Sequence, residues 1–274
     1  MESISSLIAR MAIGCLSNDP AVLNTNLLAS PAVRAKRLPV IVEENPTSAA
    51  KGYNAIMSRT DAEYLILSHN DVYLPTGWEE RLAHQINAVS QVDPNWGVIA
   101  AYGVDQNGGG WGPVWSTSIG QIMGRVPMAP TAITVADELL IVVRRANGLE
   151  FDEALDHFHF YGLDIVQTAL SLGMGAWSVA LPCVHHDSFK GALLDEHYDR
   201  SFHYVRRKWR HALPIYAPTI KVTWHGLQLR NVKKRMKESL AHRQDIATQA
   251  QACPITIAAQ CGWEPAAKIS SAAG

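Results

Sequence analysis

The sequence predicts an α/β protein: a mixed, mostly parallel sheet flanked by helices, with a helical C-terminal extension. Three observations predict it. In the first third of the chain, short apolar runs of strand character alternate with segments whose apolar residues recur at helical spacing. From Asp195 onward strand signals give way to basic, helical stretches. Hydrophobic residues make up 47% of the 274, enough for a substantial core.

RMAIGCLS (10–17) reads as a first strand ending in the polar turn SNDP, with helical character over 21–28. PVIVEENP (39–46) is a second strand bounded by Pro39 and Pro46. SAAKGYNAIMSRT (48–60) places Ala49, Tyr53, Ile56 and Met57 on one helical face. YLILS (64–68) is a third strand, and LPTGWEERLAHQINAVSQ (74–91) is a turn running into a helix. WGVIAAYG (96–103) is a fourth strand. DQNGGGWGPVW (105–115), with four glycines and two tryptophans, reads as an irregular, mobile loop with aromatic anchors. TAITVADELLIVVRR (131–145) returns to strand. A helix follows from about Gly162 to Leu172, stopped by Gly173. AWSVALPCVHH (176–186) is a last strand ending in paired histidines. The final stretch, CPITIAAQCGWEPAAKISSAAG, reads as weakly structured towards its end.

Composition excludes several classes. The formal net charge is −1, which argues against a chain built to coat nucleic acid. The longest apolar runs, such as LLIVV at 139–143, are too short to span a bilayer. The N-terminus has Glu2 and no basic head before its apolar residues, so it makes a poor signal peptide. Cys15, Cys183, Cys253 and Cys261 form no CxxC pair and read as reduced thiols of a cytoplasmic protein, the first two packed in strands.

In open α/β sheets, ligands bind outside the carboxyl ends of the strands. Ser17 and Asn18, Glu43 to Asn45, His69 to Asp71, and His185 with His186 all fall at such ends. Asp71 is either a cap for the turn before the 74–91 helix or an oxygen ligand holding Mg²⁺ or Mn²⁺ against substrate phosphates. His186 or His185 would add an imidazole, which Mn²⁺ tolerates better than Mg²⁺. His69 alone reads as an ordinary strand-end histidine. Asp164, at the start of a helix, is either a charge complementing the helix N-terminus or a general base against the aromatic wall of Phe158, Phe160 and Tyr161. Asp137 and Glu138 either bind substrate hydroxyls or form a solvated strand start. Trp111 and Trp115 either stack on a sugar face or anchor the loop. The basic helices at 200–240 are open to three readings: a solvated or subunit-contacting face, an anionic membrane surface, or phosphate on a carrier lipid.

The ordered set SNDP, VEENPTSAAKGYNAI, EYLILSHNDVYLPTGWEERL, ADELLIVVRR and LEFDEALDHFHFYGLDIVQTALSLGMGAWSVALPCVHHDSFKG resembles glycosyltransferase family 2. The likeness is strongest to its branch with a His-x-Asp-Val strand end followed by Leu-Pro-x-Gly-Trp, and it covers about residues 10–192. It implies a GT-A fold over 1–194, with a nucleotide-sugar half at about 10–104, an acceptor half at about 105–194, and residues 195–274 as a helical extension. It implies inverting, metal-dependent transfer from a nucleotide-diphosphate sugar to a glycan, lipid-carrier or other hydroxyl acceptor; the sequence leaves open whether the chain forms a homo-oligomer. Asp71 matches the carboxylate that holds Mn²⁺ or Mg²⁺ on the diphosphate. His69 replaces the first acid of that element, next to Asn70. Glu43 or Glu44 falls near the position that reads the nucleotide, and Asn54 matches an asparagine beside the diphosphate. Asp164 matches the catalytic base, with Gly162–Leu163 before it in place of a glutamate. His186, ahead of His185, matches a late metal ligand. Asp137 and Glu138, with Trp111 and Tyr161, fall to the acceptor side. The loop at 105–130 is then a lid over the donor. Two other classes compete: a nucleotide- or glycan-binding protein without turnover, and a metal hydrolase, against which the lack of HxH or HExxH spacing counts.

Overall fold

A computed structural model describes residues 2–187, 194–249 and 253–265 of the chain. The strands are β1 (Met11–Ser17), β2 (Val40–Glu44), β3 (Tyr64–His69), β4 (Val72–Tyr73), β5 (Trp96–Ala100), β6 (Gly103–Val104), β7 (Gly110–Trp111), β8 (Val114–Ser116), β9 (Gln121–Met123), β10 (Thr131–Ala132), β11 (Val135–Ala136), β12 (Leu140–Arg144), β13 (Gly175–Ser178), β14 (Cys183–His185), β15 (Ile215–Tyr216) and β16 (Lys221–Val222). The α-helices are α1 (Ile4–Ile8), α2 (Pro20–Thr25), α3 (Pro31–Arg34), α4 (Ala49–Met57), α5 (Trp78–Val92), α6 (Tyr161–Ser171), α7 (Glu196–Lys208), α8 (Gln228–Gln249) and α9 (Pro254–Gln260).

The central sheet has the order β10-β13-β5-β12-β3-β1-β2. β1, β2, β3, β5 and β13 run one way, and β10 and β12 run the other. The mixed, mostly parallel α/β sheet read from the sequence is therefore present. Period-two alternation divides its side chains between two helical layers. On one face Ile13, Cys15 and Ile66 pack against Leu7 of α1 and Trp78, Leu82 and Ile86 of α5. On the other, Ala12, Leu65 and Leu67 pack against Tyr53 and Ile56 of α4 and the α6 residues Ile165 and Val166. β12 enters antiparallel between β3 and β5. Its residues Leu140–Val143 are fully buried, as expected for a strand covered on both faces.

The glycine-rich stretch differs from its sequence reading. It is not an irregular loop: β7 pairs with β6, and β8 pairs with β9 and β14. Gly112 shows why glycine is required there. At φ 119° it lies so close to the β5–β6 connection that a Cβ would sit 1.8 Å from the Ala101 carbonyl oxygen. The strand expected over 176–186 is two strands in different sheets, β13 and β14, broken around Pro182.

The segment from 195 onward packs into the same core. Tyr198, Phe202 and Val205 of α7, with Trp209, join Phe160 and Leu163. α9 covers β4 and β14 through Ile257 and Ala258. Glu264 then accepts hydrogen bonds from the Tyr73 hydroxyl (2.6 Å) and the Thr76 amide (2.9 Å). Residues 253–265 are thus packed on the sheet, and the weak structure expected at the very end, 266–274, lies outside the described residues. Cys15 and Cys183 are buried free thiols in β1 and β14, and Cys253 and Cys261 are also free. Among the described residues no helix is long and apolar enough to cross a membrane.

Candidate functional site

Parallel pairing brings the strand ends together. Ser17 of β1 lies beside Glu44 of β2, and Leu16 beside His69 of β3. Past these ends opens a cavity of about 410 Å³ lined by Leu16, Ser17, Asn18, Asn45, Pro46, Tyr53, His69, Asn70, Phe158 and Tyr161. The Asn45 amide donates to the Ser17 carbonyl (2.9 Å), and Asn70 Nδ2 donates to Ser17 Oγ (3.2 Å). The Tyr161 hydroxyl donates to the Glu138 carbonyl (2.8 Å) and meets His69 Nε2 at 3.0 Å.

His69, which lines this cavity, groups with Asp71 and His185, and the ligand atoms of the three all lie within 4.8 Å of one another. β4 follows Asp71 directly and pairs antiparallel with β14, setting His185 opposite Val72. The His186 amide donates to the Asp71 carbonyl (2.8 Å). Neighbouring residues on a strand point to opposite sides. His185 therefore turns to Asp71, while His186 turns away and places Nδ1 3.0 Å from Asn26 Oδ1. The second histidine of the trio is His185, which corrects the expectation of His186. His69 also belongs to the trio rather than to a donor contact alone. Asp71 is not the cap of α5: the N-cap is Gly77, in the left-handed region.

His185 Nε2 lies 3.3 Å and His69 Nδ1 3.9 Å from Asp71 Oδ1. These are ion-pair separations without hydrogen-bond geometry, so Oδ1 is buried with no hydrogen-bond partner. Burial pushes the Asp71 carboxyl up, but the His185 charge and then His69 outweigh it and hold it well below its ordinary value. Burial pushes His185 down, yet Asp71 reverses this and lifts it to about 9. His69 is lowered, by burial first and by its cationic neighbour His185. An orphaned carboxylate oxygen facing two imidazoles fits a divalent cation, and a set with two nitrogens suits Mn²⁺ better than Mg²⁺. His69, Asp71 and His185 would hold it.

A second, smaller cavity of about 150 Å³ adjoins the start of α6 and is lined by Asp137, Glu138, His159, Phe160, Tyr198 and Thr219 among others. Glu138 Oε1 faces the Gly162 amide at 3.4 Å. Glu138 is half-buried by surface area, yet enough protein surrounds its carboxyl that burial, with Asp137 beside it, pushes it up to about 8. Asp137 accepts from the Leu139 amide (3.1 Å).

Asp164 stands in the first turn of α6, where the sequence reading put it. It is 2% exposed. Trp209 Nε1 donates to it at 2.7 Å and Lys208 Nζ at 2.9 Å, and it lines neither cavity. Burial raises its carboxyl and Lys208 and Trp209 oppose that shift. A carboxylate enclosed in this way reaches a substrate hydroxyl only if both partners leave.

Four other expected residues line neither cavity. Asn54 clamps the Phe151 backbone, donating to its carbonyl (2.9 Å) and accepting from its amide (3.0 Å). Glu43 pairs with Arg59 and Glu44 is exposed, neither lining the cavity. Trp111 donates to Asp105 (2.7 Å) under Arg125 and touches neither cavity. Tyr161, expected on the acceptor side, lines the larger cavity. The residues missed in the sequence are Tyr198, Lys208, Trp209 and Thr219. Each comes from the tail, where the sequence shows basic helical periodicity and nothing that points back to residue 164.

No family model matches the chain. A curated protein of Fuscovulum blasticum, named ATP synthase subunits region ORF 6, is 25% identical over 181 residues, 63% of this chain and 70% of that protein. Among solved structures, a mannosyltransferase of Pyrobaculum calidifontis in complex with GDP-Man and Mn²⁺ superposes with a TM-score of 0.43 at 14% identity, covering 92% of this chain and 76% of that one. GalNAc-T7 with UDP, GalNAc and Mn²⁺ superposes with a TM-score of 0.48 at 12% identity, covering 88% of this chain and 58% of that one. The chain is similar to these proteins.

Proposed function

We propose that the chain is a divalent-cation-dependent glycosyltransferase that moves a sugar from a nucleoside-diphosphate donor to a hydroxyl acceptor. The observation that carries this reading is Asp71 Oδ1, without a hydrogen-bond partner between His69 and His185, of which His69 lines the cavity at the carboxyl ends of β1, β2 and β3. The family resemblance of the sequence supports it. A cation held there would act as a Lewis acid towards the diphosphate as it takes up negative charge on leaving.

The chain's own groups divide the rest of the work. Ser17, Asn18, Asn45 and Asn70 offer hydroxyl and amide groups to the polar parts of the nucleotide, and Tyr53 and Phe158 give apolar walls. The smaller cavity, with Asp137, Tyr198 and Thr219, offers polar groups to an acceptor hydroxyl. Glu138, held protonated around neutral pH, is a poor proton acceptor. Asp137 is the other carboxylate that lines this cavity, and we assign it as the base that takes the hydroxyl proton. Attack from the side opposite the departing diphosphate would invert the anomeric centre. Asp164, the base the resemblance implies, would require the Lys208 and Trp209 contacts to open. That closed contact is also the observation that favours the second reading, a nucleotide- or glycan-binding protein without turnover.

The experiment is a thermal-shift panel of nucleoside diphosphates and sugar nucleotides with and without Mn²⁺, followed by donor hydrolysis and transfer assays on the hits. Binding that needs Mn²⁺ and is lost in Asp71→Asn is expected. Turnover lost in Asp137→Asn, with donor binding retained, supports Asp137. The same pattern in Asp164→Asn moves the base there. Donor binding with no turnover under any acceptor class assigns the binding protein, and nucleotide binding indifferent to both Mn²⁺ and Asp71 removes the transferase reading.

A further inference from the structure

Near-neutrality of the whole chain hides a segregation of charge. With 24 basic and 25 acidic residues overall, the stretch from Arg200 to Lys237 carries eleven lysines and arginines and no aspartate or glutamate. Some of this charge is used inside the fold: Lys208 binds Asp152 and Asp164, and Lys233 binds Asp199. Lys221 also donates to the Tyr216 hydroxyl, and most of the remainder is turned outward. α8 lays Leu229, Val232 and Met236 on the core, which leaves Arg230, Lys234, Arg235 and Lys237 exposed on its other side. The nearest acid on that side is Glu238, 3.7 Å from Lys234.

At the head of this helix two large apolar side chains stand in water. Trp224 is 73% exposed and Leu227 66%. Their turn is built rather than frayed. Arg206 Nη1 donates to the Trp224 carbonyl at 3.2 Å, and Gly226, at φ 65°, admits Arg206 so closely that a Cβ would lie 2.5 Å from Nη1. Leu227, Arg230 and Lys234 follow at helical spacing, so the apolar tip runs into the basic stripe.

We propose that this face docks on an anionic lipid bilayer, with Trp224 and Leu227 entering the boundary between headgroups and acyl chains and the α8 basic residues over lipid phosphates. An indole is favoured at that depth, and cationic residues around it gain from the negative surface potential. The competing occupants fit less well. A second copy meeting this face across a two-fold axis would bring like charges together. A nucleic acid backbone would satisfy the basic residues but gains nothing from an aliphatic Leu227. The hairpin of β15 and β16 that leads into this turn also walls the smaller cavity through Ala217, Pro218 and Thr219, so the docking tip and that cavity share one segment of chain.

The test is co-sedimentation of the full chain with vesicles of phosphatidylcholine alone and of phosphatidylcholine mixed with phosphatidylglycerol. Sedimentation is expected with the mixed vesicles only, and it should fall as salt rises. Lys234→Glu with Arg235→Glu should weaken it by at least about fivefold for each charge removed. Trp224→Ser should weaken it about tenfold at low salt. Both sites are exposed, so melting temperatures should stay within error of the parent; if either variant melts early, the lipid and salt dependence of the parent chain decides. Equal sedimentation with both vesicles, or none with either, overturns the proposal, as do folded variants that bind like the parent. A molar mass that halves in Trp224→Ser, or a duplex DNA shift lost in these variants while vesicles are ignored, gives the face to a second copy or to nucleic acid and overturns it equally.

Discussion

Tyr161 fixes the proton of His69. Its hydroxyl lies 2.8 Å from the Glu138 carbonyl and 3.0 Å from His69 Nε2. A phenol has one proton, and the carbonyl can only accept, so that proton goes to Glu138. The imidazole must then donate from Nε2, which leaves the Nδ1 lone pair facing Asp71. Tyr161 is thus a positioning residue for the cation site. Tyr161→Phe is expected to weaken Mn²⁺ binding about 10–100-fold, read from the free-ion signal in electron paramagnetic resonance. Nitrogen NMR of the histidines in the metal-free protein should show His69 as the Nε2–H form and a mixture in the variant. An unchanged tautomer and affinity would remove Tyr161 from this role.

Asp71→Asn removes the one carboxylate of the trio and the partner that keeps His185 charged. Mn²⁺ at a hundred times its dissociation constant should stabilise the parent by about 2.7 kcal/mol and leave the variant unmoved. Urea denaturation with and without the ion measures both.

Glu138 predicts a slope in stability with pH. Its folded value is about 8 against an ordinary 4.5, so between those values the native state holds a proton that the unfolded chain has released. Stability therefore falls as pH rises through that window. His185, lifted to about 9 from 6.5, pushes the same way over the upper part. Glu138→Gln should flatten the decline between pH 5 and 6.5, where His185 contributes little. A parallel curve for parent and variant would show that Glu138 ionises normally.

Lys208→Met leaves the Asp164 carboxylate buried with one hydrogen bond from Trp209. The expected loss is about 1–3 kcal/mol in chemical denaturation. Asp164→Asn in the same chain should recover part of it, because the uncompensated charge is gone. Strict additivity of the two changes would mean that the pair does not interact.

Gly112→Ala should cost about 2–4 kcal/mol, since its Cβ would collide with backbone rather than with a side chain that can move. Gly148→Ala is the control: it shares a positive φ of 66° but has open space around it, so the milder strain of the left-handed region alone is expected there.

Much of the sheet was legible because β1, β2, β3 and β5 are short apolar runs with turns between them, and α4, α5 and α6 carry their apolar residues at helical spacing. The antiparallel direction of β12 was not legible: Leu140–Val143 is apolar on both faces, and such a run carries no sign of direction. The glycines at 108–112 read as freedom, whereas close approach and strand pairing use that same freedom to fix one conformation. The strand ends identified the cavity and Asp71. Choosing between His185 and His186 needs the register of β14 against β4, which depends on backbone pairing that no local pattern encodes. Asp164 looked available because its partners, Lys208 and Trp209, lie more than forty residues downstream in a segment with no visible tie to it.

The grip of Glu264 on Tyr73 spans 191 positions, and Tyr73 belongs to the short strand that begins one residue after Asp71. α9 rests on the strand that carries His185 as well. A ribosome making this protein must therefore pass residue 264 out of the exit tunnel before both strands gain this cover. Nascent chains arrested before that point should present the histidine–aspartate trio on an open, unclamped edge.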